Sequence, residues 1–223
     1  IRRLIKQGFR NFTLVVSRKN KKKIENVVKN AFDGLSINLN IIVQPEPKGP
    51  AHAFFYGLKK VDLKNDTLLC LSDTLFDEDL LIGYDWVGTS IAKGDGKWCW
   101  VAEKYGRVVE FFDKVKPPKH VKEVLMGLYY FRDSKFLYKE LDKIIKKDLK
   151  IAENEFQLSQ ILVLYNDKYS IKPVIINSWV DCGTEENYFN AQKLFINHRH
   201  FNSVTIKNEN NSRYIIKKGI KGK

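Results

Sequence analysis

The chain has 223 residues, 43% of them hydrophobic, which suits one large α/β domain with a sizeable core. No apolar run reaches the roughly 18 residues that span a bilayer, and the opening Ile1-Arg2-Arg3-Leu4-Ile5 lacks the apolar centre of a signal peptide. The formal charge of +13 calls for an acidic partner, but the densest basic run, Arg18-Lys19-Asn20-Lys21-Lys22-Lys23, has no interleaved aromatics, so a phosphate-rich small substrate is expected rather than nucleic acid.

Residues 1–7 read as the end of a helix closed at Gly8. Asn11 to Ser17 alternates as a strand. Ile24, Val27, Val28 and Ala31 line one face of a helix over Lys22–Ala31. A strand over Ile37–Val43 leads into the turn Gln44-Pro45-Glu46-Pro47-Lys48-Gly49-Pro50, then a helix over Ala51–Leu58. The apolar run Leu68-Leu69-Cys70-Leu71 reads as a buried strand that delivers Ser72 and Asp73 at its tip. This alternation predicts an α/β fold: three αβα layers around a mixed, mainly parallel sheet.

Beyond Asp79 short strands are expected over Tyr84–Ile91, Trp98–Glu103, Val108–Phe112 and Gly127–Phe131, with turns at Lys93-Gly94-Asp95-Gly96 and Tyr105-Gly106. Helices follow over Ser134–Lys147 and Glu155–Leu164, a strand over Ile171–Ile176 and a helix over Glu185–Phe195. Val204–Ile206 and Tyr214–Lys217 read as a hairpin around Asn208-Glu209-Asn210-Asn211. The polar run His198-Arg199-His200 suggests a boundary, with one domain over 1–197 and the hairpin over 198–223.

Three scattered cysteines (Cys70, Cys99, Cys182) with no CxxC imply packing roles and a reducing cytoplasm. The four histidines show neither zinc nor triad spacing. The chemistry therefore rests on carboxylates. Asp73 follows a buried strand, where ligands of open α/β sheets bind. Asp181, in Trp179-Val180-Asp181-Cys182-Gly183-Thr184, sits in a similar setting far along the chain. Two such carboxylates suggest one site for a divalent metal held against a phosphate.

Six segments, in this order, resemble the nucleoside-triphosphate transferase family of sugar-phosphate nucleotidyltransferases. Gln44-Pro45-Glu46-Pro47-Lys48-Gly49-Pro50-Ala51 is similar to its base-reading loop. Leu71-Ser72-Asp73-Thr74-Leu75-Phe76 is similar to its metal segment, with Ser72 where Gly is usual. Val108 to Lys114 resembles the segment ending in Glu-Lys-Pro, with Asp113 for Glu and the proline displaced to Pro117. Gly127-Leu128-Tyr129-Tyr130-Phe131 resembles the Gly-(Leu/Ile)-Tyr strand. Glu155-Phe156-Gln157-Leu158-Ser159 resembles the acidic helix start, and Trp179 to Thr184 resembles Trp-x-Asp-x-Gly-Thr.

The resemblance covers about residues 1–197. It implies transfer of a nucleoside monophosphate from a nucleoside triphosphate to a phosphorylated small molecule, with release of pyrophosphate, for surface-polysaccharide precursors. It implies Asp73, Asp181 and Lys114 as catalytic residues, with Mg²⁺ on Asp73 and Asp181. Gln44, Gly49, Ala51 and Ser72 would bind the nucleotide; Lys114, Gly127, Glu155 and Trp179 the acceptor. The two carboxylates are expected within roughly 8 Å of each other, given metal–ligand bonds of about 2.1 Å, with Lys114 facing the same cleft.

The family's Gly-rich triphosphate cradle does not occur between Ile1 and Lys223, and a start without Met fits a chain that begins inside a longer protein. The cradle's strand is expected beside 11–17 and 67–72, and without it low stability and activity are expected. Arg199 to Ile206 followed by Ile215-Ile216-Lys217-Lys218 resembles the linker and first hairpin of a choline-kinase-like phosphotransferase. Two other classes stay open: a non-catalytic nucleotide- or partner-binding domain of this fold, and a metal-dependent glycosyltransferase. The latter would want Asp-x-Asp, which Asp73-Thr74-Leu75-Phe76-Asp77 does not supply. The base, the acceptor and the oligomeric state stay open as well.

Overall fold

A computed structural model describes residues 1–91, 98–151 and 154–196. The predicted C-terminal hairpin, the polar run before it and the phosphotransferase-like segment lie outside the described residues, as does the turn at 93–96. The chain divides into two compact units. The first comprises Ile1–Leu71 and Asp77–Ser178; the second joins Ser72–Phe76 to the chain from Trp179 onward.

In the first unit the chain opens with a short helix α1 (Arg2–Lys6), strand β1 (Asn11–Ser17), helix α2 (Lys21–Phe32) and strand β2 (Asn38–Gln44). β1 and β2 pair in parallel with Phe12 opposite Leu39 and Ser17 opposite Gln44. A parallel pair needs a crossover, and α2 supplies it. Helix α3 (Pro50–Leu58) and strand β3 (Thr67–Cys70) follow.

β3 belongs to a six-stranded sheet with β5 (Trp86–Ile91), β6 (Cys99–Lys104), β7 (Arg107–Asp113), β8 (Glu123–Phe131) and β9 (Lys172–Ile175). β4 (Thr74–Phe76), by contrast, belongs to the second unit. β8 is the spine. β5 runs along one of its edges, and β6 and β3 share the other. Every residue from Val124 to Phe131 is buried, so both faces are covered, and the run reads as continuous apolar sequence.

The sheet is mixed, as expected, but it is not mainly parallel. β3–β8, β5–β8, β6–β7 and β6–β8 pair antiparallel; in this sheet only β5–β9 is parallel among the described residues. The reason is local for β6–β7: Tyr105-Gly106 is too short a link for a crossover, so the strands must form a hairpin. Among the described residues β1 pairs only with β2 and β3 only with β8. The β1–β2 pair is accordingly half-buried, with Phe12 alone fully inside.

Helices α3, α4 (Ser134–Lys146) and α5 (Leu158–Tyr169) provide the core that backs the sheet. Phe54, Phe55 and Leu58 of α3, Leu137 and Leu141 of α4, and Ile161, Leu162 and Tyr165 of α5 pack with Val87, Tyr129 and Phe131. α4 starts where Asp133 accepts the Phe136 N–H at 2.9 Å. α5 starts at Leu158, not at Glu155 as expected. Gln157 is its N-cap and takes the Gln160 side chain onto its backbone N–H at 3.0 Å. Glu155 therefore lies ahead of the helix rather than in its first turn.

One buried carboxylate ties this unit together. Asp85 accepts from the Tyr165 hydroxyl at 2.6 Å, the Arg132 backbone N–H at 2.8 Å and Arg132 Nε at 3.1 Å. The start of β5, the end of β8 and the middle of α5 thus meet at one group. Burial first, then the bond to Asp85, raises the Tyr165 phenol far above its ordinary range, so it stays a donor.

The second unit contains β4 (Thr74–Phe76) and β10 (Trp179–Asp181), paired antiparallel, and helix α6 (Glu185–Ile196). The Thr184 hydroxyl accepts the Asn187 N–H at 3.2 Å at the start of α6. Among the described residues no helix is long and apolar enough to cross a membrane.

Candidate functional site

Most of the expected site residues fall into two clusters, one in each unit. The first is the loop between β2 and α3. Gln44 ends β2, and its Nε2 lies 3.0 Å from His52 Nδ1 and 3.3 Å from the Gly49 carbonyl oxygen. Gly49 is the N-cap of α3, with φ +99° and ψ 172°. That combination is essentially restricted to glycine.

The loop is clamped from across the unit. The Phe156 N–H donates to the Lys48 carbonyl, and the Ala51 N–H donates to the Phe156 carbonyl, both at 2.9 Å. Ala51 is fully buried, so both its methyl and its N–H serve the loop's anchorage. Glu155 stands against the same loop. A Cβ on Gly49 would lie 2.7 Å from the Phe156 carbonyl oxygen and 2.9 Å from the Glu155 Cβ.

Gly49→Ala thus meets both a backbone clash and a forbidden φ. We expect it to cost about 1–3 kcal/mol, a fall in Tm of about 2–12 °C for a chain this long. A thermal melt within about 1 °C of wild type would mean the loop relaxes freely.

The second cluster holds both aspartates. β4 and β10 place Thr74 opposite Asp181, and the Cys182 N–H donates to the Asp73 carbonyl at 2.7 Å. These bonds bring the two carboxylates to one place. A point one bond from the Gly183 Cα is 3.0 Å from Asp181 Oδ1 and 3.5 Å from Asp73 Oδ2. The backbone leaves room here that any side chain at 183 would fill.

Asp181 is also oriented. Its Oδ1 accepts the Gly183 N–H at 2.7 Å, and its Oδ2 accepts from Asn187 Nδ2 at 3.3 Å. Asp73 and Ser72 are exposed in the turn before β4, three and two residues beyond the end of β3 rather than at its tip. Burial, then Asp181 and Asp73, raises the Cys182 thiol pKa, so this sulfur stays protonated and is a poor metal ligand.

Among the described residues no three His, Cys, Asp or Glu side chains form a metal cage. Mg²⁺ does not require one: it is commonly held by one or two carboxylates plus substrate phosphates. Two converging carboxylates beside an open backbone position fit that requirement.

The remaining expected residues lie elsewhere. Trp179, half-buried, begins β10 opposite Phe76 in the second unit. Lys114 follows β7 in the first unit with φ +54°. The neighbouring Asp113 accepts from the Ser159 hydroxyl at 2.6 Å. Gly127 lies in β8 opposite the register shift between Val87 and Thr89 of β5, with φ +87° and its carbonyl accepting the Leu71 N–H at 2.9 Å. This gives Gly127 a backbone reason to be glycine.

Sequence reasoning passed over His52, Phe156 and Asn187. His52 has no metal or triad spacing, and only the strand–turn–helix geometry sets its ring beside Gln44. Phe156 read as part of a helix start. Asn187 could have been found, since Thr184-Glu185-Glu186-Asn187 has the form of a capped first turn.

A family model described as nucleotidyl transferase matches residues 1–84. No curated protein matches the sequence. Among solved structures, a UDP-glucose pyrophosphorylase complexed with UDP-glucose superposes with a TM-score of 0.70 at 16% identity, covering 87% of this chain and 84% of that one. A nucleoside-diphosphate-sugar pyrophosphorylase from Vibrio cholerae gives 0.66 at 15%, covering 82% and 80%. The inositol-1-phosphate CTP transferase from T. maritima gives 0.61 at 18%, covering 83% and 75%. At such identities the likeness concerns fold. Residues 1–84 therefore match the nucleotidyl transferase family, and most of the chain has the α/β fold of nucleotide-diphospho-sugar transferase structures.

Proposed function

We propose that this protein is a nucleotidyltransferase acting on a sugar phosphate or a similar phosphorylated acceptor. The observation that carries the reading is the convergence of Asp73 and Asp181 beside Gly183. The family match over residues 1–84 and the fold of the rest support it. An acceptor phosphate oxygen attacks the α-phosphorus of a nucleoside triphosphate. The bond from that phosphorus to the β-bridging oxygen breaks, and pyrophosphate leaves with the electron pair. Such transfers depend on positioning and charge stabilisation more than on covalent work by the protein.

Asp73 and Asp181 would hold Mg²⁺. The ion, when bound, would neutralise charge on the phosphate oxygens. Gln44 would meet the base edge, with Gly49 and Ala51 keeping the backbone close to the nucleotide and Ser72 reaching its phosphates. Lys114 would receive the acceptor phosphate as a point charge. Gly127, Glu155 and Trp179 would shape the acceptor side. The product, an activated sugar or related alcohol, suits surface-polysaccharide synthesis.

The test is pyrophosphate release with UTP, CTP, dTTP and GTP across a panel of sugar phosphates and other phosphorylated alcohols. One triphosphate–acceptor pair should release pyrophosphate in a Mg²⁺-dependent way. Lys114→Ala should then raise the acceptor KM about tenfold or more, from the loss of one charge-assisted contact, and leave the nucleotide KM within about twofold. No release with any pair would point to a non-catalytic binding domain. An unchanged acceptor KM would return Lys114 to a surface role.

A further inference from the structure

The Gln44 amide is held in one orientation by the protein itself. Its nitrogen faces the Gly49 carbonyl oxygen at 3.3 Å. A carbonyl only accepts, so the atom facing it has to be the NH₂ group; the reverse orientation would set two oxygens against each other. The same nitrogen lies 3.0 Å from His52 Nδ1. With both amide hydrogens directed at acceptors, Nδ1 carries a lone pair, and the ring proton sits on Nε2. Oε1 is left without a protein partner among the described residues.

Several features keep the His52 ring neutral and fixed. The residue is buried and occupies the third position of α3, where the helix N-terminus disfavours added positive charge. Burial and then the Lys48 ammonium lower its pKa, with Lys59 adding to this and Glu46 opposing it. The ring stacks on Phe156, with centroids 5.9 Å apart and planes at 17°, and leans on Tyr56 at 4.9 Å. Phe156 is the residue whose backbone clamps Lys48 and Ala51. The ring, the amide and the glycine carbonyl thus form one braced unit.

We propose that His52 is a positioning residue for base selection: its Nδ1 pins the Gln44 amide so that only the acceptor Oε1 meets the nucleobase, and the site takes bases that present an N–H donor there. An unbraced glutamine turns its amide over and accepts either a donor or an acceptor, so it selects little. A pinned one rejects a base edge that lacks the donor, because Oε1 is then left unpaired. This rests on the reading of Gln44 as the base contact made above.

The experiment is calorimetric binding of UTP, CTP, dTTP, GTP and ATP. Each is matched with its analogue lacking the pairing-edge N–H donor (for CTP, zebularine triphosphate). Wild-type protein should bind its preferred triphosphate about tenfold or more tightly than the matched analogue. His52→Phe should shrink that ratio to about threefold or less. His52→Gln, whose side-chain oxygen can accept from the Gln44 amide, should restore most of it.

Undiminished discrimination in His52→Phe overturns the proposal while leaving nucleotide binding intact. Binding of no triphosphate at all by wild type overturns the functional reading and this inference with it. Should His52→Phe fail to fold, nitrogen-15 spectra of the wild-type ring decide. The Nε2–H tautomer is expected, and an Nδ1–H tautomer rules the brace out.

Discussion

Asp181→Asn should lower Mg²⁺-dependent pyrophosphate release by about a hundredfold or more, while the protein melts within about 2 °C of wild type. The size follows from the charge removed. Metal stabilisation of phosphoryl oxygens contributes several kcal/mol, and each 1.36 kcal/mol is a factor of ten in rate. The fold is spared because asparagine keeps an Oδ1 to accept the Gly183 N–H, bonded at 2.7 Å in the wild type. Asp73→Asn should behave alike. The double variant decides whether one site is shared. Independent residues would multiply their losses, whereas two residues acting as one unit give a double variant little worse than either single one. Near-wild-type rates, or fully multiplicative losses, would show that the two carboxylates do not act on one ion.

Asp85→Ala should give the largest loss of stability. The carboxylate is 4% exposed and accepts from the Tyr165 hydroxyl and from the Arg132 backbone and side chain. Its removal leaves a buried hydroxyl and a backbone N–H without an acceptor, at about 1–3 kcal/mol each, and opens a small void. A total of about 3–5 kcal/mol corresponds to a fall in Tm of roughly 6–20 °C for a chain of this length. Arg132 contributes less to the loss because its side chain is 54% exposed and water can take over its bonds. Asp85→Asn keeps one acceptor oxygen and should cost about half as much. If Asp85→Ala melts within about 2 °C of wild type, water enters the site and the network is not what joins β5, β8 and α5.

The two predictions draw on different levels of legibility. β1 over Asn11–Ser17 and the α2 helix were plain in the sequence, because period-2 and period-3.6 patterns arise from each residue's own choice of face. Asp73 and Asp181 stood out for their apolar lead-ins. β4 and β10 were not legible as strands, since three residues are too few to carry an alternation. Nor was the antiparallel spine: Val124 to Phe131 is apolar throughout, and a strand covered on both faces carries no directional signal. The start of α5 was misplaced because an acid and an aromatic looked like a first turn. The Gln157 and Gln160 side chains, which set the cap, looked like ordinary helix formers.

By itself, then, the sequence determined the α/β class and most element boundaries, and it put forward the candidate site residues. These depend on local burial patterns and on what each side chain can donate, accept or ligate. Only the tertiary structure decided which of them meet. The β4–β10 pairing and the bond from Cys182 to Asp73 join carboxylates more than a hundred residues apart. The turn into α3 folds His52 back onto Gln44, and a distant backbone at Phe156 locks the loop between them. Such juxtapositions depend on hydrogen-bond partners and packing contacts supplied from elsewhere in the chain, which no local pattern encodes.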